Sequence, residues 1–191
     1  MYGGSFDPPH EGHRLLADNL AKYCGADRVI VIPAAMSPFK ETSGASANDR
    51  LEMCRLAFND PLYEVSDIEI NRGGKSYTID TLTEIKKSNP NSELYFFVGD
   101  DMLLSFDRWY RYNDILKICT LVAACRTEKL EKLHEMQAFA EEKLKGGNVL
   151  FCECVPLEIS SSQIRKNIKI GDFRCLSHEV SSYIISKELY K

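Results

Sequence analysis

Residues 3 to 13, Gly3-Gly4-Ser5-Phe6-Asp7-Pro8-Pro9-His10-Glu11-Gly12-His13, concentrate more chemistry than any other stretch of this chain. Gly3 and Gly4 let the backbone approach an anion closely, Ser5 adds a hydroxyl, and His10 and His13 flank Gly12 where an apolar-periodic segment begins. Amide N–H groups and the dipole at a helix start favour phosphate, so the combination suits binding and reshaping a polyphosphate. The bland reading is a turn with two surface histidines; a histidine pair bracketing Gly12 directly after such a loop favours the anion site. Zinc is the rival ligand, and histidines at i, i+3 without a clear third partner support it poorly.

A second group is Ile159-Ser160-Ser161-Ser162-Gln163-Ile164-Arg165. Serines at a helix start cap free amides, a common structural event. Arg165, about one turn further in, adds a guanidinium fork able to grip the phosphate that amides and hydroxyls bind. A third group, Gly99-Asp100-Asp101, ends an apolar run and precedes Trp109-Tyr110. An acidic residue there either binds ribose hydroxyls or caps the next helix. Trp109 is either core or a stacking surface for a flat ring. The fourth, Gly73-Gly74-Lys75-Ser76-Tyr77-Thr78, reads locally as a glycine turn and a helix cap.

The elements that must position these groups alternate. Short apolar or β-branched runs at 28 to 32, 94 to 98, 121 to 125 and 148 to 154 predict strands. Between them lie helical patterns: 13 to 23 with Leu16, Leu20 and Tyr23 on one face, 49 to 58 with Leu51, Cys54 and Phe58, 78 to 87 with Ile79, Leu82 and Ile85, and 127 to 145 ending at Gly146-Gly147. Unalternating strands separated by amphipathic helices predict an α/β fold, a doubly wound parallel sheet in which ligands collect beyond the carboxyl ends of the strands. No repeat or linker interrupts the 191 residues, so a single domain is expected, with a helical portion from about residue 160 completing the phosphate site.

Composition narrows the class. A formal net charge of -4 argues against broad nucleic-acid binding, and no apolar run approaches a membrane span. No leader precedes Gly3, which makes a signal peptide an unsuitable reading. Seven cysteines at irregular spacings fit buried thiols in a reducing cytoplasm better than a disulfide framework. Cys152 and Cys154 lack a second ligand pair for zinc, and strand alternation accounts for them.

Taken together the segments resemble the bacterial nicotinate mononucleotide adenylyltransferases, within the nucleotidyltransferase superfamily that carries an H-x-G-H signature. The likeness spans nearly the whole chain: G-G-S-F-D-P-P-H-x-G-H at 3 to 13, S-Y-T-x-D-T at 76 to 81, G-x-D at 99 to 101 with W-Y at 109 to 110, and I-S-S-S-x-I-R at 159 to 165. It implies a Rossmann-like nucleotidyltransferase fold and adenylyl transfer from ATP to nicotinate mononucleotide, with Mg²⁺ accompanying the ATP. It also implies roles. His10, His13, Lys40 and Arg165 would be catalytic; Gly3, Gly4, Ser5, Phe6, Gly99, Asp101, Ile159, Ser161 and Ser162 would bind ATP; Ser76, Tyr77, Thr78, Trp109 and Tyr110 would bind the mononucleotide. No metal site of the protein's own, no nucleic acid and no membrane partner is implied, and homo-oligomerisation is left open.

The chain departs from that pattern in four places. Only Met1 and Tyr2 precede the glycine loop, so either residues are missing upstream or the first strand is shortened, and a shortened strand would loosen the loop. Phe39-Lys40 stands where many relatives have His-Lys, Ser162 replaces a usual threonine, and Asp100 adds a charge beside Asp101. The rival enzymes are a phosphopantetheine adenylyltransferase, whose members usually carry threonine at the position of His10, and an adenylyltransferase preferring nicotinamide mononucleotide. From another class, a nucleotide-binding regulator without catalysis is opposed by intact His10, His13 and Arg165.

Overall fold

The computed structural model describes residues 1–36, 44–126, 130–154 and 159–191. In chain order its elements are β1 (Tyr2–Gly4), α1 (Glu11–Cys24), β2 (Val29–Pro33), α2 (Ala47–Ala57), β3 (Tyr63–Val65), α3 (Ile68–Arg72), α4 (Thr78–Ser88), β4 (Tyr95–Val98), α5 (Asp100–Leu103), a 3-10 turn (Phe106–Arg108), α6 (Tyr112–Ile118), β5 (Thr120–Arg126), α7 (Leu130–Lys143), β6 (Val149–Cys154), α8 (Ser161–Ile168) and α9 (His178–Ser186). The strands form two sheets of three, ordered β1-β2-β3 and β4-β5-β6. The β2–β3, β4–β5 and β5–β6 pairs are parallel, giving the α/β architecture that the alternation of strand and helix patterns predicts. The chain falls into two compact units: Met1–Tyr2, Asn19–Ala26 and Tyr77–Val155 make one, and Gly3–Asp18, Asp27–Ser76 and Pro156–Lys191 the other.

In the first unit β5 is the middle strand, with Leu121 opposite Phe96 on one side and Val149 on the other. Leu121, Val122 and Ala123 are all fully buried, so successive side chains on both faces of the strand are covered, which is why its sequence does not alternate. α5 and α7 pack against β5, and α4 packs against α6. α4 buries Ile79, Leu82 and Ile85, the face its periodicity predicts. α7 stops at Lys143 and the chain turns through Gly146, whose φ of +83° favours glycine. The N-terminal end of the α7 pattern, at 127–129, lies outside the described residues.

In the second unit α2 and α3 pack against β2, and α2 packs against α9. Ser46 and Ser177 cap α2 and α9 by accepting from Asp49 N and Val180 N. A cluster of Met53, Ile164, Ile168, Leu176, Val180 and Ile184 seats α8 on this base, with Ile159, Leu189 and Tyr190 packed against it. That cluster matters because α8 carries the serines and Arg165.

α1 differs from its periodicity. Tyr23, expected beside Leu16 and Leu20 on the buried face, is 50% exposed, while Ala17 and Ala21 are buried with Leu20. The helix is seated on its small residues, which allow closer approach than a tyrosine would. All seven cysteines are free thiols, five of them buried. Burial pushes the Cys152 thiol up to about 11 and the Cys119 thiol up to about 12, which keeps both protonated and unreactive. Among the described residues no helix is long and apolar enough to cross a membrane.

Leu121→Ala should lower the unfolding free energy by about 3 kcal/mol, as large-to-small changes at fully buried positions do. Urea denaturation checks it, and a loss below about 1 kcal/mol would mean that the surroundings of β5 collapse into the space.

Candidate active site

The loop after β1 is folded back on itself. Phe6 adopts a φ of +47° and buries its ring completely. That ring lies edge-on to His13 at 5.0 Å and to Phe58 at 5.9 Å. A Cβ on Gly4 would sit 3.1 Å from the Phe6 ring, so the glycine makes room for this fold-back. Phe6 can therefore offer a ligand only its backbone. The Asp7–Pro8 peptide is cis.

Three carbonyls of the loop are taken up by side chains from distant parts of the same unit. Arg50 Nη1 donates to Ser5 O at 2.8 Å, Arg165 Nη1 donates to Asp7 O at 2.6 Å, and Ser161 Oγ donates to Pro8 O at 3.0 Å. These three donors hold the loop that follows β1. Arg50 also reaches the strand-end loop after β2, donating to Ala34 O at 2.7 Å and Ala35 O at 3.2 Å. From the other side the buried Ser76 hydroxyl accepts from Ala35 N at 3.0 Å, and Ser76 N donates to Met36 O at 3.0 Å. These bonds hold the backbone just before residues 37–43; Lys40 and Phe39 lie outside the described residues.

The histidine pair forms the start of α1, two residues earlier than the helical pattern suggests. His13 N and Arg14 N donate to His10 O at 2.9 and 3.2 Å, and Glu11 N donates to Cys175 O at 2.9 Å. In return His10 N donates to His13 Nδ1 at 3.2 Å, the half of a capping box in which the N3 side chain reaches back to the N-cap amide. That bond requires His13 Nδ1 to be unprotonated, which leaves the ring proton on Nε2 as a donor. The two rings lie 3.7 Å apart and tilted by 31°. A Cβ on Gly12 would come within 3.0 Å of both His10 Nδ1 and Ile159 Cγ2, which explains the glycine between the histidines. His10 is buried, and its Nδ1 has no hydrogen-bond partner among the described residues. Burial lowers its pKa from 6.5 to about 4, so the ring is neutral at pH 7.

At α8 the N-cap is Ser160, whose hydroxyl accepts from Gln163 N at 3.2 Å. Ser161 is spent on Pro8, and Ser162 Oγ accepts from Arg165 Nη2 at 3.2 Å. The structure therefore gathers Ser5, Asp7, Pro8, His10, Gly12 and His13 with Ile159, Ser161, Ser162 and Arg165. Gly3, Gly4, Phe6 and Ser76 belong to the same unit, whereas Tyr77, Thr78, Gly99, Asp101, Trp109 and Tyr110 belong to the other. There Tyr77 precedes Thr78, the first residue of α4, and its ring lies 4.8 Å from that of Tyr110, which is 57% exposed. Trp109 packs on Phe106 at 5.0 Å and Phe96 at 6.0 Å and stays half-buried. Gly99 precedes α5 with open space where a Cβ would stand, Asp100 Oδ1 accepts from Asp101 N at 2.9 Å, and Asp101 is exposed.

Arg50 was absent from the expected set, although a signal exists. It sits one residue before Leu51 and four before Cys54, on the apolar face of α2, where an arginine is buried only if its donors are used. Tyr190, whose hydroxyl donates to Asp7 Oδ1 at 2.7 Å, carries no local sequence signal at all.

A glycine loop closed over a histidine-paired helix start, with serines and an arginine of a second helix bonded to the same loop, suits an anion such as a phosphate. A family model described as cytidylyltransferase-like matches residues 1–167. Proteins named "Probable nicotinate-nucleotide adenylyltransferase" align along the chain: that of Dehalococcoides mccartyi is 38% identical over 198 residues, covering 100% of this chain and 95% of its own. That of Geobacter metallireducens is 36% identical over 210 residues, covering 100% and 96%. The chain belongs to the cytidylyltransferase-like family and, within it, to the nicotinate-nucleotide adenylyltransferases. The Plasmodium falciparum nicotinic acid mononucleotide adenylyltransferase complexed with NaAD shares its fold at a TM-score of 0.76 and 21% identity, covering 99% of this chain and 95% of that one.

His10 gives the site a pH signature. The unfolded chain takes up a proton near pH 6.5 and the buried ring only near 4, so stability is lost as pH falls between those values and levels off below them. Wild-type protein should lose about 2 kcal/mol between pH 7 and pH 5 from this group, and His10→Asn should remove that part of the slope. Urea denaturation at both pH values measures it; equal slopes for the two proteins would refute a buried neutral ring.

Proposed function

We propose that the protein transfers the adenylyl group of ATP to nicotinate mononucleotide, giving nicotinate adenine dinucleotide and pyrophosphate. The observation that carries this reading is the attachment of α8 to the glycine loop through Ser161 and Arg165, which puts hydroxyl, guanidinium and histidine donors around one loop. The relatives named as nicotinate-nucleotide adenylyltransferases at 33–38% identity support the choice of substrates.

In this reaction a 5′-phosphate oxygen of the mononucleotide attacks the α-phosphorus of ATP, and the bond from that phosphorus to the bridging oxygen of the β-phosphate breaks. The substrates supply nucleophile and leaving group, so the protein's share is alignment and charge stabilisation. His13, with Nδ1 engaged by the His10 amide, offers Nε2–H to a phosphate oxygen. His10, kept neutral by burial, is a donor rather than a cation. Arg165 and Lys40 supply the positive charge that the growing pyrophosphate needs, with Ser162 beside the guanidinium. Gly3, Gly4, Ser5 and the Phe6 backbone line the ATP, and Gly99 and Asp101 take its ribose. Tyr77, Thr78, Trp109 and Tyr110 take the mononucleotide, with Trp109 stacked on its ring; Ser76 contributes by holding the Ala35 amide.

Mg²⁺ accompanies the ATP in this reading. Among the described residues no three of His, Cys, Asp and Glu gather around a point where an ion could sit. The Asp7 carboxylate already accepts from Ala45 N and Tyr190. Mg²⁺ carried in with ATP keeps phosphate oxygens and water as most of its ligands. Seven free thiols suit a reducing cytoplasm.

With ATP and Mg²⁺, purified protein should release pyrophosphate when nicotinate mononucleotide is added and far less with nicotinamide mononucleotide or phosphopantetheine. Equal rates with acid and amide would sink the specificity. His13→Ala should cost about 2 kcal/mol or more of transition-state stabilisation, read as kcat/KM, with the fold intact by circular dichroism. An unaltered rate would take His13 out of the mechanism.

A further inference from the structure

Asp7 is buried within the glycine loop, and its two carboxylate oxygens have different partners. Oδ1 accepts from Tyr190 Oη at 2.7 Å and from Ala45 N at 3.1 Å. Oδ2 stands 3.8 Å from Arg165 Nη1, which makes its short bond, 2.6 Å, to the Asp7 carbonyl instead. The guanidinium is thus held by a backbone oxygen and by Ser162, while the neighbouring carboxylate forms only a long, one-oxygen ion pair with it.

We infer that Tyr190 is a positioning residue for Arg165, acting through Asp7. A carboxylate with one oxygen pinned by two donors cannot turn both oxygens onto a guanidinium. Released from the phenol, Oδ1 keeps only the longer bond from Ala45 N, and the carboxylate gains room to rotate about its broad terminal torsion toward the bidentate pair that arginine and carboxylate favour. That pair competes directly with a phosphate for the same N–H fork. Tyr190 therefore keeps the Arg165 fork from closing onto the Asp7 carboxylate and leaves its remaining N–H groups to an anionic ligand, and the segment after α9 becomes part of the phosphate grip without touching the phosphate.

The backbone is consistent with a docked segment. Glu188 and Tyr190 hold φ values of +55° and +64°, a left-handed conformation that is unfavourable for non-glycine residues and persists where surroundings enforce it. Leu189 and Tyr190 pack against the cluster that seats α8, and Leu189 N donates to Ile184 O at 3.0 Å. Gly44 completes the fit, because a Cβ there would fall 2.7 Å from Tyr190 Cε1 and 2.8 Å from Asp7 Oδ2. Burial and the adjacent Asp7 push the Tyr190 phenol well above its usual range, so it remains a donor at any pH where the protein is folded.

The inference rests on the proposed role of Arg165 in binding the triphosphate, and a double-mutant cycle tests it. Tyr190→Phe, which keeps the ring in the apolar cluster, should raise the KM for ATP at least fivefold while leaving the KM for the mononucleotide within twofold. In an Arg165→Ala background the same change should move the KM for ATP by less than twofold. A purely structural tyrosine would lower the melting temperature and act equally in both backgrounds, and that additivity would overturn the inference. Calorimetric titration of ATP into the same four proteins reads the cycle without turnover. Absent pyrophosphate release with intact Tyr190–Arg165 coupling in ATP binding would refute the proposed reaction alone; wild-type protein that binds no ATP would overturn both.

Discussion

The structure of the site depends on how the carbonyl groups of one proline-containing loop are satisfied. Ser5, Asp7 and Pro8 point their oxygens at Arg50, Arg165 and Ser161, donors that lie 45, 158 and 153 residues away in the chain. A buried carbonyl without a partner costs about 1–3 kcal/mol, so each of these bonds is expensive to lose. The loop follows β1 directly. It is shaped by side chains, and those side chains are in turn fixed by α2 and α8. The apolar cluster beneath α8 is therefore as much a part of the site as the glycines are.

The histidines show how burial and hydrogen bonding divide labour between two identical side chains. His10 is buried, kept neutral and left with an unpartnered Nδ1 among the described residues. His13 has its Nδ1 occupied by the His10 amide, and its other nitrogen carries the proton. Gly12 permits the arrangement, since any side chain there would press on His10 and Ile159. The guanidinium beside this pair is that of Arg165, bonded to the Asp7 carbonyl and to Ser162. Arginine also does structural duty here: Arg50 joins the loops after β1 and β2 by three carbonyl contacts.

Much of this was legible in the order of residues. The loop at 3 to 13 and the segment at 159 to 165 announce anion chemistry because glycine, serine, histidine and arginine occur there at spacings a helix start can use. Ile79, Leu82 and Ile85 mark the buried face of α4 because a 3.6-residue period leaves little choice. Tyr23 was misleading, since periodicity ranks residues by apolar size while close helix packing favours Ala17 and Ala21. Arg50 was legible in principle, as a charge on an apolar face. Tyr190 was not, because nothing near it in sequence says that Asp7 is its partner.

By itself, then, the sequence determined the α/β class, the buried faces of most helices and the chemical kind of the site, since these follow from local periodicity and from residue types within a few positions of one another. Only the tertiary structure decided that Arg165 and Ser161 close the glycine loop, that Arg50 holds it from the other side and that Tyr190 restrains Asp7. Each of those bonds joins residues far apart in the chain, and their pairing is set by which buried carbonyl or carboxylate would otherwise lack a donor.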